Sequence, residues 1–478
     1  MLTILLRNSV VCIRQPNCSN VRGAVRQFRI TIRQEAQLPN LSPYDVNLIL
    51  RENEYIQTFA ENDSIVRSYE SNQLSSNRPC EDSRTEATFL HKSVLSTKGF
   101  ICGVFDGHGG PACSQVISKR LLRYVAAGVI DRTTLKEVVA KEYNSQSFLK
   151  CHNDKADFVN EIKTIYEDSF RDYVQIISSQ TVEKISIEIT NAFMRLDDDL
   201  SKEALKHTNM RTMSVAMSGA VACVAHIDHL DLHVASTGDC GAVLGTQCPE
   251  TGQWHAKKLN NEHNADNLKE VQRILEEHPK EEQDTAIRNE RLLGQLAPLR
   301  ALGDFRYKWS NEIMAKYVVP TFGEHSVPPH YYTPPYLTAQ PEVQHHVLGP
   351  SDKFLVIASD GLWDFLTPSQ VISLVGEHFN SKKVMEPMKI PSGDVTLLEV
   401  SKLLAERKAG RARKPLDQNS ATHLIRNALG GTDYGIEHSK IAYYLTLPQD
   451  VVRLYRDDIT ITVIYFNTEY ITRLNGDS

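Results

Sequence analysis

The 478-residue sequence has 41% hydrophobic and 23% charged residues and a formal net charge of -6, which is the composition of a globular protein with a large core. Basic and acidic residues are mixed along the chain, which excludes an extended basic face for nucleic acid. Its nine cysteines form no C-x-x-C pair and no apolar run approaches ~20 residues, which disfavours a disulfide framework, a structural zinc site and a membrane span.

The N-terminal segment differs in composition from the rest of the chain. Residues 1–34 contain six arginines, and no acidic residue precedes Glu35. This composition is typical of a mitochondrial presequence, because a cationic segment is drawn inward by the membrane potential. A disordered basic tail is the alternative. We therefore predict that residues 1–38 are a presequence and that the protein works in the mitochondrial matrix.

The next segment reads as a helix that precedes the main domain. Ser42 is placed to cap this helix and Pro43 suits its first position. The pattern predicts helix to about Glu70, so residues 39–70 are expected to be a helical extension. The main domain is predicted over residues 71–468, followed by a C-terminal tail at 469–478.

Within the main domain, hydrophobic periodicity and turn residues predict alternating strands and helices. In chain order these are strand 100–105 with a tight turn at 106–110, helix 114–127, helix 182–207, a hairpin of strands 218–227 and 230–236 around His229, strand 353–358, helix 368–379, helix 421–429 and strand 459–466.

Three segments read as surface insertions into this domain. Residues 262–291 are strongly charged and are predicted to be a solvated helical insertion. A second insertion is predicted near 322–338, and its residues 327–335, which contain four prolines, are predicted to be an irregular loop. The third, near 381–415, is polar and basic and reads as a surface excursion.

Aspartates recur at the ends of the apolar strands: Asp106, Asp239, Asp360 and Asp457. Strand ends are rigid positions from which to aim ligands. Clustered carboxylates with few histidines or thiolates favour Mg²⁺ or Mn²⁺ over zinc, and predict metal-assisted hydrolysis. Each Asp-Gly by itself is more often a turn, so the prediction depends on their combination.

These aspartates belong to a series of motifs that resembles, in order, that of the type 2C metal-dependent serine/threonine protein phosphatases. The motifs are Cys80-Glu81-Asp82, residues 104–110, Ser218-Gly219-Ala220, Thr237-Gly238-Asp239, and residues 299–304, 359–364 and 456–460. The resemblance covers residues 70–467. Stretches at 276–280, 303–309, 332–338, 421–426 and 455–461 are similar to the pyruvate dehydrogenase phosphatase branch of that family.

The resemblance implies a fold and an activity. The expected fold is α+β, a four-layer αββα sandwich with two central antiparallel β-sheets and a di-metal cleft at one end. The expected activity is dephosphorylation and reactivation of the pyruvate dehydrogenase complex, through attack of a metal-bridging water on phosphoserine. Two Mg²⁺ or Mn²⁺ ions per site are implied, with a weaker third.

The resemblance also implies roles for individual residues. Asp106 is expected to bridge two metals and Gly107 to offer its carbonyl, with Asp82, Asp360 and Asp457 completing the shell, Glu81 ligating through water, His108 acting as general acid, and Asp239 and Asp364 holding the third ion. For Asp239 and Asp364, a turn carboxylate and a helix cap remain open alternatives.

The sequence departs from the family pattern beside the site. Many relatives have an arginine that binds substrate phosphate at the position of Asn77, and Arg78 follows it. Asn77 and Arg78 are therefore the candidates for phosphate binding. Cys240-Gly241 and Val221 also differ from the usual residues. We expect phosphate binding to depend more on the metals than on a guanidinium clamp.

The implied partners are the phosphorylated pyruvate dehydrogenase alpha subunit, the lipoyl domain of dihydrolipoamide acetyltransferase, through Ca²⁺ in some members, and a regulatory subunit. Alternative hypotheses are action on another mitochondrial phosphoprotein, such as the branched-chain ketoacid dehydrogenase complex, and a catalytically dead binding module. The second predicts lost ligands, whereas the aspartates are present. A di-metal phosphodiesterase would bring more histidine ligands.

Overall fold

The computed structural model describes residues 3–6, 9–12, 41–59, 64–90, 99–140, 148–153, 158–207, 209–385, 396, 400–401, 404–405 and 415–476. The predicted presequence, 1–38, lies outside the described residues except for two short strands that pair antiparallel. No helix in these described ranges is long and apolar enough to cross a membrane.

The strands in chain order are β1 (Thr3–Leu6), β2 (Ser9–Cys12), β3 (Tyr55–Thr58), β4 (Val66–Leu74), β5 (Ser83–Phe89), β6 (Phe100–His108), β7 (Leu149–Cys151), β8 (Gly219–Asp228), β9 (Asp231–Thr237), β10 (Gly241–Gln247), β11 (Trp254–Lys258), β12 (Ile287–Arg288), β13 (Arg291–Leu292), β14 (Leu302–Gly303), β15 (Glu342–Val347), β16 (Asp352–Ala358), β17 (Gly431–Thr432), β18 (Gly435–Ile436) and β19 (Ile459–Phe466).

The helices are α1 (Pro43–Arg51), α2 (Ala112–Val129), α3 (Arg132–Ala140), α4 (Asn160–Ser178), α5 (Ile185–His207), α6 (Met210–Met217), α7 (Leu268–Glu277), α8 (Gln283–Ala286), α9 (Asn311–Ile313), α10 (Val319–Phe322), α11 (Asp360–Trp363), α12 (Pro368–Met385), α13 (Ser420–Gly430), α14 (His438–Thr446), α15 (Gln449–Val452) and α16 (Thr468–Gly476).

Two antiparallel sheets form the centre of the domain. One has six strands in the order β11-β10-β16-β19-β4-β3, and the other has seven, in the order β15-β9-β8-β6-β5-β7 with β14 paired to β8. Helices α2 and α5 cover the seven-stranded sheet, while α12 and α13 cover the six-stranded one. The predicted α+β sandwich of four layers is therefore confirmed.

Strand β16 shows why the sheets sit in the middle of the sandwich. Its side chains alternate: Leu355 and Ile357 join a cluster shared with the seven-stranded sheet, whereas Val356 and Ala358 join a second cluster with α12 and α13. A strand with apolar cover on both faces must be apolar at nearly every position. The fully buried β19 meets the same requirement.

Most of the predicted elements are confirmed: strand 100–105 lies in β6, helix 114–127 in α2, helix 182–207 largely in α5, the hairpin in β8 and β9, strand 353–358 in β16, helix 368–379 in α12, helix 421–429 in α13, and strand 459–466 is β19. The tight turn begins later than predicted, because β6 continues through His108 and the positive φ angles fall at Gly109 and Gly110.

The predicted helical extension at 39–70 is wrong beyond Arg51. Ser42 does cap α1, in a capping box with Asp45, but the chain then forms β3 and β4 of the six-stranded sheet. Strand β4 buries polar Glu70 and Asn72, which are satisfied by Ser420 and by the carbonyl of Leu50. These partners are distant in sequence, so the local pattern did not reveal the strand.

The predicted C-terminal tail is also a structured element. Residues 468–476 form α16, and Ile471 is fully buried in the larger core cluster. Asn467 begins the helix by accepting from the backbone N–H of Tyr470 at 3.2 Å. The prediction of a tail at 469–478 is therefore wrong as far as Gly476.

The three predicted insertions differ in outcome. Residues 262–291 contain the predicted helix, α7, but they also bury Glu270, Ile274 and Glu282, so they are not simply solvated. Residues 327–335 lack helix and strand, as predicted. The third insertion begins inside α12, which continues to Met385, and most of it lies outside the described residues.

Candidate active site

The predicted metal ligands lie at the ends of strands from both sheets. Asp82 directly precedes β5 and Asp106 lies near the end of the neighbouring β6. Asp360 follows β16 and Asp457 precedes the neighbouring β19. Because paired strands are antiparallel, the end of one lies beside the start of the next. Each sheet therefore presents two aspartates at one edge.

The aspartates of the two sheets interact strongly. Burial, followed by repulsion from Asp82 and Asp360, raises the pKa of Asp106 well above its usual range. Burial also raises the pKa of Asp360, and repulsion from Asp239 and Asp457 adds to the effect. Asp106 and Asp360 each affect the pKa of the other, so the two carboxyl groups lie close together. Negative charges from separate strands thus meet at one place, where a cation would stabilise their ionised forms.

Asp82, which is itself buried, completes this group. Burial and then repulsion from Asp458 raise the pKa of Asp82. Its Oδ2 accepts a hydrogen bond of 2.8 Å from the hydroxyl of Ser359, the residue before Asp360. This contact ties the start of β5 to the end of β16, so the two sheets are joined at the carboxylate cluster.

The donor set fits a hard divalent cation. Oδ1 of Asp360 is buried and has no hydrogen-bond partner among the described residues, so one acceptor is left for another group. The donors are all oxygens, which suits Mg²⁺ or Mn²⁺. No three His, Cys, Asp or Glu side chains in the described ranges are already spaced as a coordination shell.

Gly107 and Glu81 are packed directly against each other. A Cβ at Gly107 would lie 2.2 Å from the carbonyl oxygen of Glu81, so only glycine fits there. Glu81 Oε1 accepts a 2.8 Å hydrogen bond from the N–H of Gly110, and its carbonyl accepts from the hydroxyl of Ser114. The turn after β6 therefore fixes Glu81 beside the cluster.

The loop before Asp82 is organised by Asp458, to which sequence reasoning assigned no role. Its carboxylate accepts from the backbone N–H groups of Asn77 at 2.8 Å and Glu81 at 2.9 Å. It also accepts from the backbone N–H of Ser76. A second aspartate directly after Asp457 was a visible signal, but its partners are distant in sequence.

His108 is paired with Asp304, another residue whose role sequence reasoning missed. Its Nε2 hydrogen-bonds to Asp304 Oδ2, and the two side chains are 25% and 5% exposed. Burial by itself lowers the pKa of His108, but the Asp304 carboxylate, together with Asp239 and Glu81, outweighs burial, so the pKa is raised. A Cβ at Gly219 would lie 2.0 Å from Asp304 Oδ2, so Gly219 leaves room for the pair.

Asp304 itself is held in an unusual backbone conformation. Its φ of 50° is left-handed, and its N–H donates to the carbonyl of Ser218 at 2.9 Å. The preceding N–H, of Gly303, donates to Asp197 Oδ1 at 2.8 Å, and Lys308 pairs with Asp197. This network fixes the orientation of the carboxylate that contacts His108.

The two residues predicted for a third ion lie beside the main cluster. Burial raises the pKa of Asp239, which also repels Asp106. Burial and repulsion from Asp457 raise the pKa of Asp364. Both carboxylates are therefore within electrostatic reach of the predicted metal ligands.

The two candidates for phosphate binding are placed differently. The side-chain amide of Asn77 donates to Asp458 Oδ2 at 3.0 Å and lies 3.5 Å from Asp457 Oδ1. Its N–H groups are therefore already hydrogen-bonded to carboxylates. Arg78 is exposed. A third residue, Arg453, contacts both Glu81 Oε2 and Asp457 Oδ2 at 3.5 Å. The sequence pattern did not single it out.

The sequence of this chain is similar to proteins of one known family. The sequence model of the protein phosphatase 2C family matches residues 142–406. The chain is 42% identical over 457 residues to [pyruvate dehydrogenase [acetyl-transferring]]-phosphatase 1, mitochondrial, of Bos taurus, covering 90% of this chain and 84% of that protein. It is 40% identical to the human phosphatase 2 of the same name, with the same coverage.

More distant relatives carry the same family name. A protein phosphatase 2C homolog of Schizosaccharomyces pombe is 32% identical over 428 residues, covering 87% of this chain and 83% of that protein. Among solved structures, the serine-threonine phosphatase 2C of Toxoplasma gondii is 13% identical, with a TM-score of 0.45, covering 86% of this chain and 99% of that one.

Proposed function

Because the chain belongs to the protein phosphatase 2C family, we propose that it is a metal-dependent protein serine/threonine phosphatase that dephosphorylates and reactivates the pyruvate dehydrogenase complex. The observation that carries this proposal is the meeting of Asp82, Asp106 and Asp360, from both sheets, near the paired His108 and Asp304. The named activity of the mitochondrial relatives supports the substrate.

The family depends on Mg²⁺ or Mn²⁺, and the residues of this chain fit such ions. In our proposal Asp82, Asp106, Asp360 and Asp457 hold two ions with the carbonyl of Gly107, and Glu81 contributes through water. Asp239 and Asp364 hold a weaker third. When bound, the ions lower the pKa of a water that attacks phosphorus and neutralise charge on the phosphate.

The residues of the chain supply the proton for the leaving group. In our proposal His108 donates a proton to the departing seryl oxygen. Asp304 favours the charged imidazole and fixes its orientation through Nε2, so Nδ1 is the nitrogen that donates the proton in this proposal. Without this proton, a serine alkoxide would be a poor leaving group.

The names of the relatives also support the location and the substrate. They are named mitochondrial, so we propose that this chain is mitochondrial and acts in the matrix after removal of a presequence near residues 1–38. The substrate is phosphoserine on the pyruvate dehydrogenase alpha subunit. Further partners in this proposal are the lipoyl domain of dihydrolipoamide acetyltransferase, with Ca²⁺ at the interface, and a regulatory subunit.

The decisive experiment measures phosphate release from phosphorylated pyruvate dehydrogenase complex by the protein lacking residues 1–38, with Mg²⁺ or with chelator. We expect Mg²⁺-dependent release that restores dehydrogenase activity. Phosphorylated branched-chain ketoacid dehydrogenase complex is the matched control substrate. Faster phosphate release from that complex would mean that it, and not pyruvate dehydrogenase, is the preferred substrate. No release from either complex or from a phosphopeptide would contradict the proposal that the protein is a phosphatase.

A further inference from the structure

We propose that Arg453 binds the phosphate group of the substrate. The proposal rests on the proposed phosphatase function, and it gives a role to a side chain that no motif singled out. It follows from the contacts of Arg453, from its exposure, and from how the neighbouring cationic and amide groups are already used.

Arg453 stands where two segments with predicted metal ligands meet. It follows the short helix α15 and lies four residues before Asp457. Its guanidinium is 3.5 Å from Glu81 Oε2 through Nη1 and 3.5 Å from Asp457 Oδ2 through Nη2. The two Nη groups of one guanidinium therefore reach two separate carboxylates of the predicted site.

These contacts are loose enough to be exchanged. The side chain of Arg453 is 53% exposed, and both distances exceed the roughly 2.7–2.9 Å of a strong charged hydrogen bond. The pair with Asp457 is the more exposed of the two, and exposed ion pairs contribute little to stability. Once Glu81 and Asp457 are neutralised by bound cations, the guanidinium is free to turn to a new anion.

A phosphate dianion is the anion that this position would attract. The predicted site is lined by carboxylates, which repel a phosphate unless cations offset them. A guanidinium presents parallel N–H groups that match two oxygens of one phosphate. Arg453 offers both the charge and this geometry next to two predicted ligand positions.

The neighbouring candidates are less suited to the role. The amide of Asn77 already donates to Asp458. Arg456 is buried, and its Nη2 donates to the carbonyl of Ser75 at 2.7 Å. The side chain of Arg78 is exposed and forms no ion pair with a carboxylate of the described residues. Arg78 is therefore the rival to test directly.

The test compares Arg453→Gln, Arg453→Lys, Arg78→Gln and the control Arg171→Gln, an exposed arginine on α4 paired with Asp168. We measure KM and kcat with a phosphoserine peptide, and binding of inorganic phosphate to the Mn²⁺-loaded protein by calorimetry. Loss of a charged hydrogen bond predicts that Arg453→Gln raises KM and the phosphate Kd by about 10- to 100-fold. We expect kcat to change much less, and Arg453→Lys to be intermediate because it keeps the charge without the fork.

The outcomes separate this proposal from its premise. If Arg453→Gln changes Mn²⁺ affinity but leaves KM and phosphate binding unchanged, Arg453 only neutralises carboxylates and the proposal is overturned. A larger effect of Arg78→Gln than of Arg453→Gln would also overturn it. Phosphate calorimetry tests Arg453 even without turnover, so failure to hydrolyse any phosphoprotein would contradict the proposed function alone.

Discussion

Single carboxylates carry most of the chemistry proposed for this site. Asp106 and Asp360 are partly buried and are repelled by neighbouring carboxylates, which raises the pKa of both. Their side chains lie at strand ends, so they add little to the apolar core. Their burial is unfavourable for folding and is offset only when a cation is bound.

Replacing either residue should therefore abolish activity without lowering the stability of the fold. We expect Asp106→Asn and Asp360→Asn each to reduce Mg²⁺-dependent phosphate release by at least about 1,000-fold, because each removes charge from the metal site. In chelator the melting temperature should stay the same or rise, because repulsion is relieved. Asp168→Asn, at an exposed position on α4, is the control. Near-normal turnover by either variant would contradict the di-metal assignment.

His108 tests the proposed proton transfer. We expect His108→Gln to slow hydrolysis of phosphoserine by about 100-fold or more. An activated aryl phosphate should be affected far less, because its leaving group needs no proton. The measurement is kcat for both substrates at one pH. Equal slowing of the two would remove His108 as the acid.

Asp304→Asn extends the same assay to the residue that contacts His108. Because it keeps the size of the side chain and removes its charge, we expect the same selective loss with a smaller magnitude. The pH dependence of kcat should shift as well, since Asp304 raises the pKa of His108. If kcat fell equally for both substrates and its pH dependence did not shift, Asp304 would have only a structural role.

Two elements show how tertiary contacts decide what a segment becomes. The last helix, α16, is short and polar on most sides, yet Ile471 is fully buried. Strand β4 likewise contains buried polar residues that no strand pattern predicts. In both cases contacts from distant parts of the chain compensate for weak local signals.

The role of α16 can be measured by truncating its buried side chain. We expect Ile471→Ala to lower the free energy of unfolding by about 2–5 kcal/mol, through lost burial and a residual cavity. Urea unfolding measures this value. Thr472→Ala, at the neighbouring exposed position, should change it by less than about 0.5 kcal/mol. Equal effects of the two would mean that α16 is not part of the core.

The contact between α12 and α13 makes stability depend on pH. The rings of His378 and His423 stack with centroids 5.0 Å apart. Burial and then His378 lower the pKa of His423 to about 4. Because the unfolded chain takes up this proton near pH ~6.5, the folded state is favoured above that pH and loses stability as the pH falls towards 4.

We expect this histidine to contribute a slope of up to about 1.4 kcal/mol per pH unit between these limits. Urea unfolding at a series of pH values measures it, and His423→Gln should flatten the slope. The surface variant His325→Gln should leave the curve unchanged. A slope that is the same in His423→Gln and in the parent protein would contradict this account.

At the scale of the whole molecule, the site joins the two sheets. Asp82 and Asp106 come from one sheet and Asp360 and Asp457 from the other. An ion held by both sets is bound only by the folded domain. Metal binding should therefore stabilise the sandwich as a unit, by mass action.

This coupling predicts that Mn²⁺ raises the melting temperature in a concentration-dependent way. At 100 times the dissociation constant the gain is about 2.7 kcal/mol. Thermal unfolding with Mn²⁺ or with chelator measures this rise in melting temperature, and the rise should be smaller in Asp360→Asn. A full shift in that variant would show that the stabilising ion binds elsewhere.

The sequence by itself determined the local parts of this protein. Strand β6 before Asp106, the hairpin of β8 and β9, and the cap at Ser42 were predicted because periodicity and turn chemistry act over a few residues. The order of motifs indicated the family and the fold. The roles of the candidate site residues remain predictions, although the structure brings Asp82, Asp106, Asp360 and Asp457 together.

Only the tertiary structure decided which distant residues complete the site. His108 and Asp304 are 196 residues apart, and Glu81 and Asp458 are 377 apart. Arg453 contacts Glu81 across a similar distance along the chain. Such contacts depend on how the sheets pack and leave no local pattern in the sequence. The same reason explains why the strands after Arg51 and the helix at the C-terminus were not predicted.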